Sequence, residues 1–189
     1  MFRLSWPLVW LLWLGLSSTA AAAPPLATPS VRIDLVTVGP GNVLLTRAGH
    51  TVLLVTEQLS DGRTPSTAYN FGDTNFSDAS IPFRFLFGHL TFFGSVTGDL
   101  YDTTEFYGLM QDRDVVRQPL ALTQPQARRL AERLQTLVHP DTRDYTYHYL
   151  EQTCSTKVRD LIDEVTDGEL RRQLGSQPDP WTVRDFQQL

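Results

Sequence analysis

The segment Tyr147-His-Tyr-Leu-Glu-Gln-Thr-Cys-Ser-Thr-Lys-Val-Arg-Asp-Leu-Ile-Asp163 contains Cys154, the only cysteine of the chain. Alternating aromatic residues precede the cysteine and apolar residues at helical spacing follow it, which predicts a strand or loop leading into a helix. Gly168 is predicted to end that helix. The thiol therefore falls in the first helical turn, where unpaired backbone N–H groups and the helix dipole stabilise a thiolate. The predicted buried face consists of Val158, Leu161, Ile162 and Val165.

The N-terminal segment, residues 1–23, has the features of a secretory signal. Arg3 precedes an apolar run from Leu4 to Leu16, and small residues follow, which predicts cleavage near Ala21 or Ala22. The apolar run is shorter than the ~20 residues that a membrane span needs. We therefore expect a cleaved signal, with an uncleaved N-terminal anchor as the alternative.

A lone cysteine is uncommon in an exported protein, because such proteins normally pair their cysteines in disulfides. Cys154 is therefore inert packing, an intermolecular link or a reactive group. Its predicted position at the start of a helix favours a reactive thiol.

The rest of the chain has the size and charge of one acidic domain. Residues 24–30 form a linker rich in proline and alanine, and residues 31–189 are long enough for a single domain with its own core. The net charge is −5, and it becomes −6 without Arg3, the only charged residue of the signal. An acidic domain with scattered arginines is a poor nucleic-acid binder, so we expect no nucleic-acid partner. No segment after Ala23 has the composition of a transmembrane helix.

Hydrophobic periodicity predicts several strands and one clear helix before the cysteine. The second strand is almost continuously apolar, which indicates burial on both faces, and a turn after it predicts a hairpin with the third strand. Thr123 and Gln126 form a capping box at the start of the helix. The expected fold class is α+β, with an antiparallel sheet packed against helices that include the one starting at Cys154. The predicted strands are 31–38, 49–55, 67–71 and 115–122, and the predicted helix is 123–138.

The middle of the chain, residues 72–108, is rich in Phe, Gly, Thr and Asp without a clean period. Its phenylalanines are either core and loop residues or the lining of an apolar groove for a lipid or an aromatic partner. The sequence leaves both interpretations open. Phe87 is the candidate substrate-binding residue of the segment from Phe83 to Phe93.

Thiol catalysis needs a base that takes and returns the proton, a polar group that orients the base, and donors for the oxyanion. Among the four histidines, His50 is the best candidate base, since it follows Gly49 and opens an apolar strand that holds its backbone. A packed or capping histidine is the equally weighted alternative for His50. The remaining histidines are His89, His139 and His148.

The orienting group is expected on a neighbouring strand. Asn70 lies beside His50 if the predicted hairpin forms, and Asp73 is the alternative. A simple turn role for Asn70, just before Gly72, carries equal weight. One cysteine and separated histidines give no metal-ligand spacing, so we expect no metal and no cofactor.

Several short motifs follow one another in a characteristic order, and together they carry a family resemblance. They are Pro40-Gly41, Gly49-His50, Tyr69-Asn70-Phe71-Gly72, Arg113 with Leu120-Ala-Leu-Thr123, Tyr145-x-Tyr147 and Cys154-Ser-Thr-x-x-Arg159-Asp160. This order and spacing resembles the Lnb N-terminal periplasmic domain family from about Val31 to Leu170. The resemblance implies a permuted papain-like fold of the NlpC type, in which the histidine precedes the cysteine, and thiol acyl transfer as the chemistry.

The same resemblance implies roles for individual residues. Cys154 corresponds to the nucleophile, His50 to the base and Asn70 to the third polar residue. Tyr147 and Arg113 become candidates for substrate binding. The implied substrates are phospholipids and lipoproteins at the membrane surface, and the implied location is the periplasm, with peripheral or anchored attachment to the membrane.

Two departures from the family pattern affect the expected function. The family usually has Asn directly before the cysteine, where this chain has Thr153, so an oxyanion role would fall to the backbone N–H of Cys154. Larger members carry membrane helices after this domain, and this chain has none up to Leu189. Three alternatives stay open: a peptidoglycan or peptide amidase with the same Cys/His pair, a non-catalytic envelope binding module, and a protein linked through an intermolecular disulfide.

Overall fold

The computed structural model describes residues 28–42, 46–75, 77–148 and 151–175. The predicted signal segment, the first part of the predicted linker and residues 176–189 lie outside these ranges. The described chain forms an antiparallel sheet of six strands together with several helices. The predicted α+β class with an antiparallel sheet is therefore confirmed.

The elements follow one another along the chain in a mixed order of strands and helices. The strands are β1 (Ser30–Val38), β2 (His50–Gln58), β3 (Ser66–Asp73), β4 (Thr91–Val96), β5 (Val115–Pro119) and β6 (Asp144–Thr146). The helices are α1 (Ile81–Leu86), α2 (Leu100–Thr104), α3 (Gln124–Leu137), α4 (Cys154–Val165) and α5 (Glu169–Leu174), and a short π-helix (Glu105–Met110) continues α2. Across the sheet the strand order is β5-β1-β2-β3-β4-β6.

Strand β2 lies near the centre of the sheet and is buried on both faces. Its residues from Val52 to Val55 are at most 3% exposed, as their continuous apolar character predicts. β2 pairs with β1 on one side and with β3 on the other, where Val52 lies opposite Asn70. The predicted hairpin between the second and third strands is therefore present.

Strand β5 is shorter than its hydrophobic pattern predicts. The prediction extends it to Leu122, but β5 ends at Pro119. Proline has no backbone N–H to donate to the ladder, and it is tolerated here because β5 is an edge strand that pairs only with β1 among the described strands.

Helices α3 and α4 pack on one face of the sheet and build the larger core. The start of α3 is closed by the predicted capping box, in which the Thr123 N–H donates to Gln126 Oε1 at 2.9 Å. Gly168, with φ of +79°, follows α4 as predicted, and its N–H donates to the Asp163 carbonyl at 2.9 Å. Ile162 is only half-buried, where the helical pattern predicts full burial. This core includes Ile33, Leu53, Phe71, Leu130, Leu134, Val158 and Leu161.

The opposite face of the sheet is covered by the π-helix and α2, two elements that the sequence pattern does not predict. Tyr107 of the π-helix packs into a second cluster with Val36, Val52 and Leu54. Leu54 and Leu53 face opposite sides because side chains alternate along a strand. Within the described ranges, no helix combines the length and the apolar character that crossing a membrane requires.

The Phe-rich middle segment is divided between core and surface. Phe92 is buried with Ile81 and Leu90 in a small third cluster. Phe83 and Phe87, on and just after α1, are each 68% exposed. Core packing thus accounts for part of the segment only, and the role of the exposed part as a binding surface stays a prediction.

Candidate active site

The Cys154 thiol lies at the start of α4, where Cys154 is the first helical residue after the N-cap Thr153. The cap is reciprocal: the Thr156 N–H donates to Thr153 Oγ1 at 3.1 Å, and the Thr153 N–H donates to Thr156 Oγ1 at 2.8 Å. Thr153, the residue directly before the cysteine, therefore serves as the helix cap. The first N–H groups of a helix have no intrahelical acceptor, so the positive end of α4 faces the thiol.

His50 occupies the end of the sheet that meets α4. It is the first residue of β2 and pairs with Val38, the last residue of β1. Gly49 leads the chain into this position with φ of +76°, and a Cβ there would lie 2.8 Å from the Val38 carbonyl oxygen. Only glycine meets both conditions, so Gly49 places His50 where its imidazole can reach the helix start.

Asn70 on β3 orients the His50 ring, since His50 Nε2 and Asn70 Oδ1 are 2.6 Å apart. Two further partners determine which way the amide points. The Gly72 N–H donates to Oδ1 at 2.8 Å, and Asn70 Nδ2 donates to Asp73 Oδ1 at 3.1 Å. Because Oδ1 can only accept, His50 Nε2 carries the proton and Nδ1 keeps its lone pair for the thiol.

Asp73 bonds to Asn70 and not to the imidazole, so it orients His50 only through Asn70. Its Oδ1 accepts from Asn70, and its Oδ2 accepts from the Ser95 hydroxyl. The pairing of β3 with β4 shifts between Asn70 and Asp73, and such bulges re-aim side chains near functional sites. A hydrogen-bonded series thus runs from His50 through Asn70 to Asp73, and Cys154 lines the same cavity as His50.

The pKa of the Cys154 thiol results from opposing effects. Burial raises the pKa, whereas the hydrogen bond with His50 and the charge of His50 lower it. The Thr51 backbone N–H and the hydroxyl of Ser155, whose oxygen lies 3.9 Å from Sγ, lower the pKa further. The resulting pKa is about 7, below the value of about 8.5 for an ordinary cysteine. A large fraction of Cys154 is therefore thiolate, the nucleophilic form, at neutral pH.

A cleft surrounds His50 and consists of two lobes. The first, which we call the thiol lobe, has a volume of about 230 Å³ and contains Cys154. The second, which we call the arginine lobe, has a volume of about 310 Å³ and contains Arg113. Gly49, His50, Gly72 and Phe92 line both lobes, so the two volumes are neighbours.

The three candidate substrate-binding residues lie in different places. Tyr147 lines the thiol lobe, where its ring centroid is 4.6 Å from that of Phe92. Arg113 is buried and lines the arginine lobe. Phe87 is exposed and lines neither lobe.

Tyr107 is a site residue that the sequence analysis does not identify. Its ring centroid lies 5.8 Å from that of His50, and the Arg113 guanidinium carbon lies 5.4 Å from the Tyr107 centroid. Burial, with a contribution from the Asp73 charge, raises the pKa of Tyr107 to about 12, so the phenol stays neutral at any working pH. No periodicity marks the π-helix that positions this tyrosine, and π-helical turns occur frequently at functional sites.

The remaining histidines do not contribute to the cleft. His89 and His139 are exposed, and His148 Nδ1 accepts from the Glu151 N–H at 3.2 Å. None of these three lines either lobe. In the part of the chain that the structure describes, no group of three or more His, Cys, Asp or Glu side chains is placed to hold a metal ion.

Substitution of Gly72 by alanine is expected to disable the site without unfolding the protein. A Cβ at Gly72 would lie 2.5 Å from His50 Cε1 and 3.0 Å from His50 Nδ1, so the imidazole must leave its place beside the thiol. We expect the rate of Cys154 alkylation by iodoacetamide at pH 7 to fall by about ten-fold, toward that of an ordinary thiol. Gly108→Ala is the matched control, because its Cβ would lie 3.7 Å from the nearest atom. An unchanged alkylation rate in a folded Gly72→Ala protein would contradict this placement of His50.

Comparison with known proteins gives one match. The family model described as the Lnb N-terminal periplasmic domain matches residues 24–188. Searches of curated proteins and of solved structures gave no significant match. The family match extends over the strands that carry His50 and Asn70 and over the helix that begins at Cys154. The chain therefore belongs to the Lnb N-terminal periplasmic domain family.

Proposed function

We propose that the protein is a cysteine-dependent acyltransferase or lipid acyl hydrolase of the cell envelope, related to lipoprotein N-acylation. The observation that carries the proposal is the hydrogen-bonded series from His50 through Asn70 to Asp73, together with the Cys154 thiol in the lobe that His50 lines. A nucleophile, a base within hydrogen-bonding reach and a group that orients the base are the parts that thiol acyl chemistry needs.

The first half-reaction transfers an acyl group to the protein. His50 Nδ1 takes the thiol proton, and Cys154 Sγ attacks the carbonyl carbon of the acyl donor. The carbonyl oxygen becomes an oxyanion, for which the backbone N–H of Cys154 at the start of α4 is an available donor. His50 then gives the proton to the departing alcohol oxygen, and the acyl group remains as a thioester on Sγ.

The second half-reaction releases the acyl group. An amine or a water molecule gives a proton to His50 as it attacks the thioester carbonyl, and Sγ leaves as a thiolate. The product is an amide when the acceptor is an amine, and a free acid when it is water. Asn70 Oδ1 holds the proton on Nε2 throughout, so that Nδ1 alone exchanges protons with the reactants.

A permuted papain-like fold of the NlpC type is part of the proposal. The base lies on an early strand, the orienting amide on the neighbouring strand, and the nucleophile at the start of a later helix. This order along the chain, with the histidine before the cysteine, supports the permuted arrangement.

The lining of the thiol lobe favours an acyl chain over a sugar or a polar peptide. Phe71, Phe92 and Tyr147 supply aromatic walls beside Cys154. Phospholipids are the proposed donors and lipoproteins the proposed acceptors. The exposed rings of Phe83 and Phe87 support action at the membrane surface, with the protein peripheral or anchored there.

The experiment that tests the proposal is intact-protein mass spectrometry after incubation with phospholipid vesicles of one defined acyl chain. We expect the mass of that acyl group on Cys154, and its removal by neutral hydroxylamine, which cleaves thioesters. A parallel incubation with peptidoglycan fragments provides the comparison. Cleaved peptide bonds without an acyl adduct would favour the amidase, and a Cys154 that resists both acylation and alkylation would favour a binding module.

A further inference from the structure

Arg113 is a buried cation whose partners among the described residues are all neutral. Arg113 is only 6% exposed. Nε donates to the Gly39 carbonyl at 2.8 Å, and Nη1 donates to Gln111 Oε1 at 3.0 Å. The ring of Tyr107 lies against the guanidinium, with 5.4 Å between Cζ and the ring centroid. Two of the three guanidinium nitrogens are thus held in place by uncharged acceptors.

The third nitrogen, Arg113 Nη2, is buried and has no hydrogen-bond partner within the described part of the chain. Burying a charge without a counter-ion is strongly unfavourable, and a buried donor without an acceptor adds to the cost. A protein that retains such a group in a cavity is expected to pair it with an anion that is not part of the fold. The arginine lobe provides the space, since Arg113 is one of its lining residues.

Among the residues that the structure describes, Asp73 is the only acidic one that lines the same lobe. Its two carboxylate oxygens accept hydrogen bonds from Asn70 Nδ2 and from the Ser95 hydroxyl. Asp73 is therefore already engaged in holding Asn70 on the imidazole. None of the hydrogen bonds of Arg113 among the described residues goes to Asp73, so the guanidinium has no paired anion there.

The position of Arg113 relative to the nucleophile limits what that ligand is. The Tyr107 ring contacts both His50 and Arg113, and His50 lines both the thiol lobe and the arginine lobe. A molecule that fills both lobes presents an acyl carbonyl to Cys154 and an anionic oxygen to Arg113. Phe92, Phe106 and Tyr107 make the walls of the arginine lobe largely aromatic, which suits an amphiphile.

We propose that Arg113 binds the phosphodiester of a phospholipid acyl donor, an inference that rests on the proposed function. In a glycerophospholipid, the acyl esters and the phosphodiester are attached to the same glycerol unit, a few bonds apart. An ester carbonyl in the thiol lobe therefore brings the phosphodiester into the arginine lobe. Gly39 and Gln111 hold the guanidinium plane, and Nη2 donates to a phosphate oxygen in a charge-assisted hydrogen bond.

The test measures binding in the Cys154→Ala protein, which cannot form a thioester, so that its outcome does not depend on catalysis. The ligands are dihexanoylphosphatidylcholine, used as monomers, and dihexanoylglycerol, which has the same acyl esters without the phosphodiester. We expect the phospholipid to bind at least about ten-fold more tightly than the glyceride. With Arg113→Gln added, this preference should fall to about one.

Arg63→Gln is the matched control, because it removes the same charge from an exposed arginine and should preserve the preference. If Arg113→Gln does not fold, Arg113→Lys takes its place in the binding comparison. A second measurement is then ¹⁵N NMR of the arginine side chains in the Cys154→Ala protein, which keeps Arg113. Dimethyl phosphate should then shift the Arg113 Nη2 signals more strongly than acetate. A stronger response to acetate would assign the lobe to a carboxylate of a peptide substrate, and no response to either anion would exclude an anion site.

These experiments distinguish a failure of the proposed acyl-transfer function from a failure of the proposed phosphodiester binding by Arg113. Phosphodiester binding in the Cys154→Ala protein, without an acyl adduct in the wild type, would overturn the proposed function alone. An acyl adduct in the wild type, with equal binding of phospholipid and glyceride, would overturn the role of Arg113 alone.

Discussion

Replacement of Cys154 by alanine is expected to lower the rate of acyl transfer or hydrolysis by about 10³-fold or more, because no other group can carry the thioester. The residual rate would come from binding and from the oxyanion donors at the start of α4. The measurement is release of labelled fatty acid from phospholipid vesicles under single-turnover conditions. The same sample should show no acyl adduct by intact mass.

The alanine variant should keep the fold, which makes the result interpretable. Cys154 is half-buried and, as the only cysteine of the chain, has no intrachain disulfide partner, so its truncation should change the free energy of unfolding by about 1 kcal/mol or less. Cys154→Ser is the matched control, since it keeps the size and the hydrogen-bonding capacity but ionises far less readily. Near wild-type turnover in the folded alanine variant would exclude Cys154 as the nucleophile.

Replacement of His50 by glutamine is expected to raise the pKa of the thiol and to remove the base. Burial raises the Cys154 pKa, and the hydrogen bond and charge of His50 outweigh it to give a pKa of about 7. Without His50 the pKa should rise to about 8.5 or above. At pH 7 the thiolate fraction would then fall from about one-half to about 3%, so alkylation by iodoacetamide should slow by about 15-fold. Acyl transfer should fall by a further factor of about 10² or more, because the proton acceptor is lost as well.

The pH dependence of alkylation separates these two effects. The thiolate is the reactive form, so the alkylation rate should rise through pH 7 in the wild type and only above about pH 8 in His50→Gln. His139→Gln is the matched control, because His139 is exposed and outside the cleft. A wild-type pH profile in the folded His50→Gln protein would mean that the imidazole does not contact the thiol.

Cys154 and His50, the candidate nucleophile and base, could be located from the sequence because each begins an element with a clear hydrophobic pattern. The apolar spacing after Cys154 predicts a helix, and α4 begins at that residue. The continuous apolar run after His50 predicts a buried strand, and β2 begins at that residue. The hairpin prediction also brings Asn70 to the strand beside His50.

Other features of the site could not be predicted because packing over long sequence separations creates them. The π-helix that carries Tyr107 is only six residues long, too short for a periodicity to be recognised. Asn70, and not Asp73, bonds to the imidazole, and the pairing of β3 with β4 shifts register between these two residues. Pairing registers depend on cross-strand contacts, so both residues remained candidates for the orienting role.

The environment of Arg113 is the clearest example of a feature that the sequence could not predict. The sequence places an arginine between Asp112 and Asp114, which on its own suggests a charge balanced by its neighbours. Only the packed structure gives the guanidinium neutral partners and leaves Nη2 buried, without a hydrogen-bond partner among the described residues.

By itself, the sequence determined the α+β class, the helix that begins at the thiol and the buried strand that begins at the histidine. These follow from local hydrophobic periodicity and from the backbone preferences of Gly, Thr and Pro, which act over a few residues. Tertiary structure alone decided the proton arrangement on His50, the position of Tyr107 and the burial of an unpaired Arg113 nitrogen. These depend on which distant segments meet and on how much water they exclude, and neither is encoded in any short stretch of the chain.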